Sequence, residues 1–163
     1  MYPDFEELLQ CLNDEKAEYL IVGGYAVAHH AQQRATKDLD IFVGTAPENA
    51  ECVWNALVRF GAALDDLPVE EFKDPNTAFR MGVPPVMVEI IRMIDGVDFA
   101  AAYARRTVEI INPEKGIEAA YISADDLLHN KLTAGRLQDL ADAEALRAAR
   151  AGRSGDDEGG RSG

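Results

Sequence analysis

Apolar residues recur along this chain in blocks that alternate between helical and strand-like spacing. Over residues 3–12, Phe5, Leu8, Leu9 and Leu12 fall on one helical face, and Pro3, Asp4, Glu6 and Glu7 crowd the opening turn. An early proline and early acids suit a helix N-terminus, whose free N–H groups favour negative charge. After Asn13-Asp14, the run Tyr19–Val22 reads as a short buried strand, and Gly23-Gly24 lets the backbone turn sharply into a helix over 25–32. Asp38–Val43 is a second strand. Ala46-Pro47-Glu48 opens another helix, with Val53, Leu57, Val58 and Phe60 on its apolar side and Gly61 as its stop.

The second half continues the alternation. Residues 64–75 are acidic and punctuated by prolines, which predicts a loop with one turn of helix. Residues 77–81 and 86–91 predict paired strands joined by Gly82-Val83-Pro84-Pro85. A short helix over 98–105 and a strand over 107–111 follow, and 120–122 is apolar but too short to assign. Ser123 with Asp126 resembles a capping box, so a helix is expected over 124–134, a break at Gly135, and a second helix over 137–150. Residues 151–163 hold no apolar residue except one alanine and predict a disordered tail. No internal repeat is present. One domain over 1–150 accounts for the pattern.

Composition narrows the function classes. A chain of 163 residues can bury a core without disulfides or a structural metal, and 47% hydrophobic with 7% aromatic residues suits an α/β or α+β protein. The formal net charge of −13 repels a phosphate backbone, which disfavours broad binding to DNA, RNA or anionic membrane. Small or cationic substrates fit better. Cys11 and Cys52 lack CxxC spacing and read as buried thiols in a reducing compartment. The N-terminus is acidic where a signal peptide is basic, and no apolar run approaches the ~20 residues that span a bilayer. A cytoplasmic protein is expected.

The chemistry gathers between Tyr19 and Val43. Residues two apart on a strand share a face about 6–7 Å apart, so Asp38 and Asp40 project together while Leu39 and Ile41 turn to the core. An ionised pair that close favours a cation, and Mg²⁺ takes carboxylate oxygens together with substrate phosphates. Solvent-facing charges on an edge strand would give the same pattern. The Gly23-Gly24 turn presents backbone N–H groups and the positive end of a helix, which can hold a phosphate, although ligand-free turns of this kind are common. Glu89 lies within Val86–Ile91 among apolar neighbours, and a buried acid there needs a partner, a proton or a metal. Alternation also permits it to face outward.

Together these elements resemble the DNA polymerase β-like nucleotidyltransferase superfamily, whose pattern is a hydrophobic strand, Gly-[Gly/Ser], a short helix and Asp-x-Asp. Val22-Gly23-Gly24, Asp38-Leu39-Asp40 and Glu89 stand at those places, with Gly24 where many members have serine. The run from Arg34 to Asp40 resembles the small bacterial branch that includes AbiEii-type toxins, as does the segment from His129 to Asp142. The resemblance implies an α+β fold, a small mixed sheet flanked by helices with further C-terminal helices. It implies a metal triad of Asp38, Asp40 and Glu89 holding two Mg²⁺ ions, or Mn²⁺, and an NTP as co-substrate. Gly23, Gly24, Lys131 and Arg136 would meet the nucleotide, with Asp139 and Asp142 positioning the two cations. Read without the resemblance, Arg136 and Asp139 are an i,i+3 pair on an amphipathic helix. The implied reaction moves an NMP to an acceptor hydroxyl and releases pyrophosphate. A small-molecule or protein acceptor agrees with the acidic balance better than RNA, and a second copy or a cognate antitoxin is the expected protein partner. An inactive nucleotide- or partner-binding module is the alternative, which retention of all three acids disfavours. His29 and His30 suit a helix C-terminus as cations, His129 sits in a late helix, Arg34 and Thr36 are candidates for lining the pocket, and Trp54 is expected in the core.

Overall fold

The computed structural model describes residues 1–31, 36 and 38–159, the last five through their backbone alone. Arg34, and Gln32 at the expected end of the second helix, lie outside the described residues. In chain order the elements are α1 (Pro3–Asp14), β1 (Tyr19–Val22), α2 (Gly23–His30), β2 (Asp38–Val43), α3 (Pro47–Phe60), a 3₁₀ turn (Val69–Lys73), β3 (Phe79–Val83), β4 (Val86–Ile91), α4 (Phe99–Ala104), β5 (Thr107–Asn112), β6 (Ile117–Tyr121), α5 (Ala124–Ala134) and α6 (Leu137–Gly159). Among the described residues the strands form one six-stranded mixed sheet in the order β3-β4-β2-β1-β6-β5. The α+β class, a small mixed sheet flanked by helices, is the expected one. No described helix is long and apolar enough to cross a membrane.

Parallel pairing at the centre explains why the middle strands are the most apolar. β2 runs parallel to β4 and antiparallel to β1, and β1 runs parallel to β6. Helices cover such strands on both faces, so the alternation of a half-exposed sheet is muted. Leu20, Ile21, Leu39, Ile41 and Ile90 are all fully buried. α1 packs on α3 and β6, while α5 and α6 pack together and meet α2. Gly61 ends α3 in the left-handed conformation, at φ 93°, where its N–H reaches the Leu57 and Val58 carbonyls. Ser123 caps α5 by accepting from the Asp126 N–H at 3.1 Å, and its hydroxyl donates to the Asp126 carboxylate at 3.0 Å.

Several boundaries differ from the pattern, each for a physical reason. α2 starts at Gly23, so both glycines belong to its first turn and do not precede it. The third strand is Phe79–Val83 and not 77–81, because Thr77 is held by the preceding loop. Its hydroxyl donates to the Glu71 and Asp74 carbonyls, and its own carbonyl accepts from Arg92 at 2.7 Å. Arg92 is buried, also donates to the Glu71 carbonyl, and lies over the Phe72 ring at 5.0 Å. β6 takes in Ala120 and Tyr121 of the apolar stretch that was too short to assign and leaves Ile122 outside, with Ile117, Ala119 and Tyr121 buried in alternation. α6 passes residue 150 and continues to Gly159, into the segment expected to be disordered. There Arg153 donates to the His30 carbonyl at 2.7 Å, a tertiary tie that local composition does not reveal. Val58, placed on the apolar face of α3 by spacing, is 49% exposed. Trp54 is only half-buried, and its indole donates to the Leu67 carbonyl at 3.3 Å. Cys11 is buried and Cys52 half-buried, both as free thiols.

One buried amide ties three segments together. Asn49 accepts from the Glu18 N–H at 2.7 Å and donates to the carbonyls of Glu18 at 3.0 Å and Gly44 at 2.9 Å. It thereby fixes the entry to β1 and the exit of β2 against α3. Asn49→Ala leaves those partly or fully buried backbone groups without their amide partner and should lower the unfolding free energy by roughly 2–3 kcal/mol. Urea titration checks this, and a loss under about 0.5 kcal/mol would show that the groups find other partners.

Candidate active site

Sheet register assembles the centre. The antiparallel β1–β2 pairing sets Val22 beside Asp40, the parallel β2–β4 pairing sets Asp40 beside Glu89, and the antiparallel β3–β4 pairing sets Glu89 beside Arg80. Four adjacent strands therefore carry one row: Arg80, Glu89, Asp40, Val22. Gly23 follows Val22 and opens α2 against that row. Asp38, two residues before Asp40, is exposed at the start of β2, while Leu39 and Ile41 between and beyond them are buried as the alternation predicts.

Gly23 is required at its position for two reasons. Its φ is +64°, and a methyl group on it would overlap the Asp40 carboxylate. The missing side chain lets the first turn of α2 approach that carboxylate directly. Burial raises the Asp40 carboxyl to about 6, the charges of Glu89 and Asp38 push the same way, and Lys131 and Arg80 oppose them. An acid in this setting takes up either a proton or a cation.

A second cluster stands behind the first. Lys131 on α5 is buried, with its Nζ 3.1 Å from Asp142 Oδ2 and 3.4 Å from Asp139 Oδ1. Asp139 also accepts from the Arg136 side-chain Nε at 2.7 Å and from its backbone N–H at 3.2 Å, and Gln138 donates to Asp142 at 3.0 Å. Burial works to raise the Asp139 carboxyl, but its bonds to Arg136 and the charge of Lys131 outweigh that and hold it low. Gly135, in the left-handed conformation, makes the elbow between α5 and α6 that folds these acids back over Lys131. The positive charge of Lys131 is felt at Asp40. Arg136 is different: its side chain is 81% exposed, and its charged neighbours are Asp139 and Asp95.

The predicted residues thus fall into two groups, Gly23, Asp38, Asp40 and Glu89 on the sheet and Lys131, Asp139 and Asp142 behind it, with Gly24 in the first turn of α2 and Arg136 on the surface. Among the described residues no three His, Cys, Asp or Glu side chains stand gathered as a preformed metal cluster. The donor set still fits a hard divalent ion: Asp40 and Glu89 are register partners on adjacent strands, Asp38 is close enough to raise Asp40, and all three offer carboxylate oxygens. The ion would have to draw the three together.

Sequence reasoning missed Arg80, whose Nε lies 3.9 Å from Glu89 Oε2. Alternation along β3 was the available signal, because it turns Arg80 to the same face as Glu89. The paired histidines have structural places. His29 stacks on Tyr121 at 4.1 Å and lies 3.9 Å from Glu109, His30 donates to the Ile122 carbonyl at 2.6 Å, and burial lowers both imidazoles. A cavity of about 600 Å³, lined by Phe5, Phe60, Phe79, Met81 and Val88 together with Arg80, holds none of the three carboxylates.

A family model described as a nucleotidyltransferase of unknown function (DUF6036) matches residues 4–149. No curated protein matches the chain.

Two outcomes follow from this arrangement. Without metal, the Asp40 proton is bound more tightly in the folded chain than in the unfolded one, so its stabilising contribution is complete below about pH 4 and lost as pH rises through about 6. Asp40→Asn should therefore gain up to roughly 3 kcal/mol over the native chain at pH 8 in chelator, and nothing near pH 4. Urea titrations across that range test the sign. Lys131→Met leaves Asp139 and Asp142 facing each other without their buried cation, which should cost roughly 3 kcal/mol. A thermal midpoint unchanged from the native chain would show that the pair is solvated.

Proposed function

We propose, from the premise that the chain belongs to this nucleotidyltransferase family, that it transfers an NMP from an NTP to an acceptor hydroxyl in a reaction dependent on a divalent cation. The observation that carries the proposal is the pairing of Asp40 with Glu89 on one side and with the side-chain-free Gly23 on the other. Phosphate donors and metal-binding carboxylates then meet at one place, and neither alone would be distinctive.

Each residue has a physical part. The free N–H groups of Gly23 and Gly24 in the first turn of α2, with the positive end of that helix, receive phosphate oxygens. Asp38, Asp40 and Glu89 would hold two Mg²⁺ ions, or Mn²⁺, which supply charge neutralisation at the attacking and leaving oxygens. The acceptor oxygen bonds to the α-phosphorus as the bond from that phosphorus to the bridging oxygen of pyrophosphate breaks. The hydroxyl proton passes to a carboxylate of the row, with Glu89, at 30% side-chain exposure, the candidate. Lys131 contributes a fixed positive field as charge collects on pyrophosphate, and its two acids keep it from swinging away. Arg136, exposed at the helix elbow and paired with Asp139, would meet the nucleotide from outside.

The kinship with AbiEii-type toxins rests on the residues from Arg34 to Asp40 and from His129 to Asp142. A cognate antitoxin or a second copy would be the partner under that kinship. The net charge of −13 supports a small-molecule or protein acceptor over RNA. Asp40→Asn should reduce Mg²⁺-dependent NTP turnover to below about one hundredth of the native rate while leaving the circular dichroism spectrum intact. Turnover measured by pyrophosphate release decides it, and a variant as active as the native chain would end the assignment.

A further inference from the structure

The carboxylate row has two unlike ends. At one end Gly23 opens α2 and offers backbone donors. At the other, on the outermost strand of the sheet, Arg80 stands beside Glu89. In an in-line displacement the entering and leaving oxygens lie on opposite sides of the phosphorus. With the phosphate donors beside Asp40 on the β1 side, the leaving pyrophosphate extends toward Gly23. The entering hydroxyl then approaches from the β4 and β3 side, past Glu89 and toward Arg80.

The two cations near the row differ in how they are held. The Lys131 side chain is 9% exposed and has carboxylate oxygens at 3.1 and 3.4 Å. The Arg80 side chain is 62% exposed, and its ion pair with Glu89 is loose, at 3.9 Å. A cation clamped between two buried acids sets a field and cannot follow a ligand. An exposed guanidinium with a distant partner keeps donors in hand for an incoming anion, and its planar fork matches carboxylate and phosphate oxygens. A surface ion pair of this length adds little to stability, so its position on the row is the more informative fact.

We propose that Arg80 is the acceptor-recognising residue, and that the acceptor is a small molecule with one phosphate or carboxylate near the hydroxyl it offers. This rests on the nucleotidyl-transfer reading above and adds the substrate class. A single arginine suits one anionic group. A polyanion would meet the charge of −13 and the acids beside Arg80, which is why a small acceptor is inferred in place of a nucleic acid.

The test uses the full chain, Mg²⁺ and α-labelled NTP with matched acceptors that differ in one group. Suitable pairs are glycerol against glycerol phosphate, ribose against ribose phosphate, and glycerol against glycerate. The native chain should label an anionic member at least about 10-fold faster than its neutral partner, the discrimination a charge-assisted bond gives. Arg80→Ala should abolish that preference through the acceptor KM, with a smaller change in the NTP KM, and Arg80→Lys should restore part of it. The phosphate and carboxylate pairs show separately which anion is read. Equal labelling of neutral and anionic members, a preference unchanged in Arg80→Ala, or an effect on NTP alone would each overturn the proposal. If no acceptor is labelled, calorimetric titration with Mg²⁺ and a non-hydrolysable NTP separates the two failures. Nucleotide binding by the native chain then means that the acceptor class is wrong, and no binding means that the nucleotidyl-transfer reading itself is wrong.

Discussion

The approach of a helix to a carboxylate is the constraint on which the site depends. Asp40 lies between a strand carrying another acid and a helix whose first residue has no side chain. A methyl group at Gly23 would overlap the Asp40 carboxylate, and the positive φ there penalises any side chain that tried. Because β1 and β2 are antiparallel and β2 and β4 parallel, that contact also fixes where Glu89 and Arg80 stand. The site is a consequence of sheet register, so a slip of one residue in β2 would turn Asp38 and Asp40 inward and Leu39 and Ile41 outward. Burial of those two apolar residues is what guards the register.

The acids in front and behind are balanced in different ways. Behind the row, Asp139 and Asp142 are buried but have Lys131, Arg136 and Gln138 as partners, and their placement is settled within the chain. In the row, burial and the like charges of Glu89 and Asp38 outweigh Lys131 and Arg80 at Asp40, and its carboxyl is raised to about 6. One group of charges is therefore complete in itself, and the other is poised for a proton or an external cation. The proposed division between acids that position and acids that react rests on that contrast.

Much of this was legible in the sequence, and what was not has identifiable causes. YLIV, GG and DLDIFV are short, dense signals whose spacing leaves few conformations open, and the structure keeps them almost residue for residue. The capping of α5 by Ser123 and the elbow at Gly135 were equally plain. β6 was hidden because alanine, at Ala119 and Ala120, carries no strand signature, and only pairing on both sides reveals it. Arg80 was hidden because its importance is relational. Nothing in FRMGV marks the arginine until β3 is laid against β4. Asn49 was hidden in the same way, since its partners Glu18 and Gly44 belong to other segments. The packing partners of the histidines were hidden likewise, since Tyr121 and Ile122 lie far along the chain.

The long final helix has a consequence for where the folding unit stops. Family similarity ends at residue 149, yet α6 continues to Gly159, and Arg153 lies beyond that limit. Its guanidinium grips the carbonyl at the end of α2, the same helix whose beginning lies against Asp40. A chain trimmed at the boundary of similarity would be cut in mid-helix and would surrender the bond from Arg153 to α2. The extension thus works as a latch on the far end of the helix that serves the site, and homology boundaries alone would discard it.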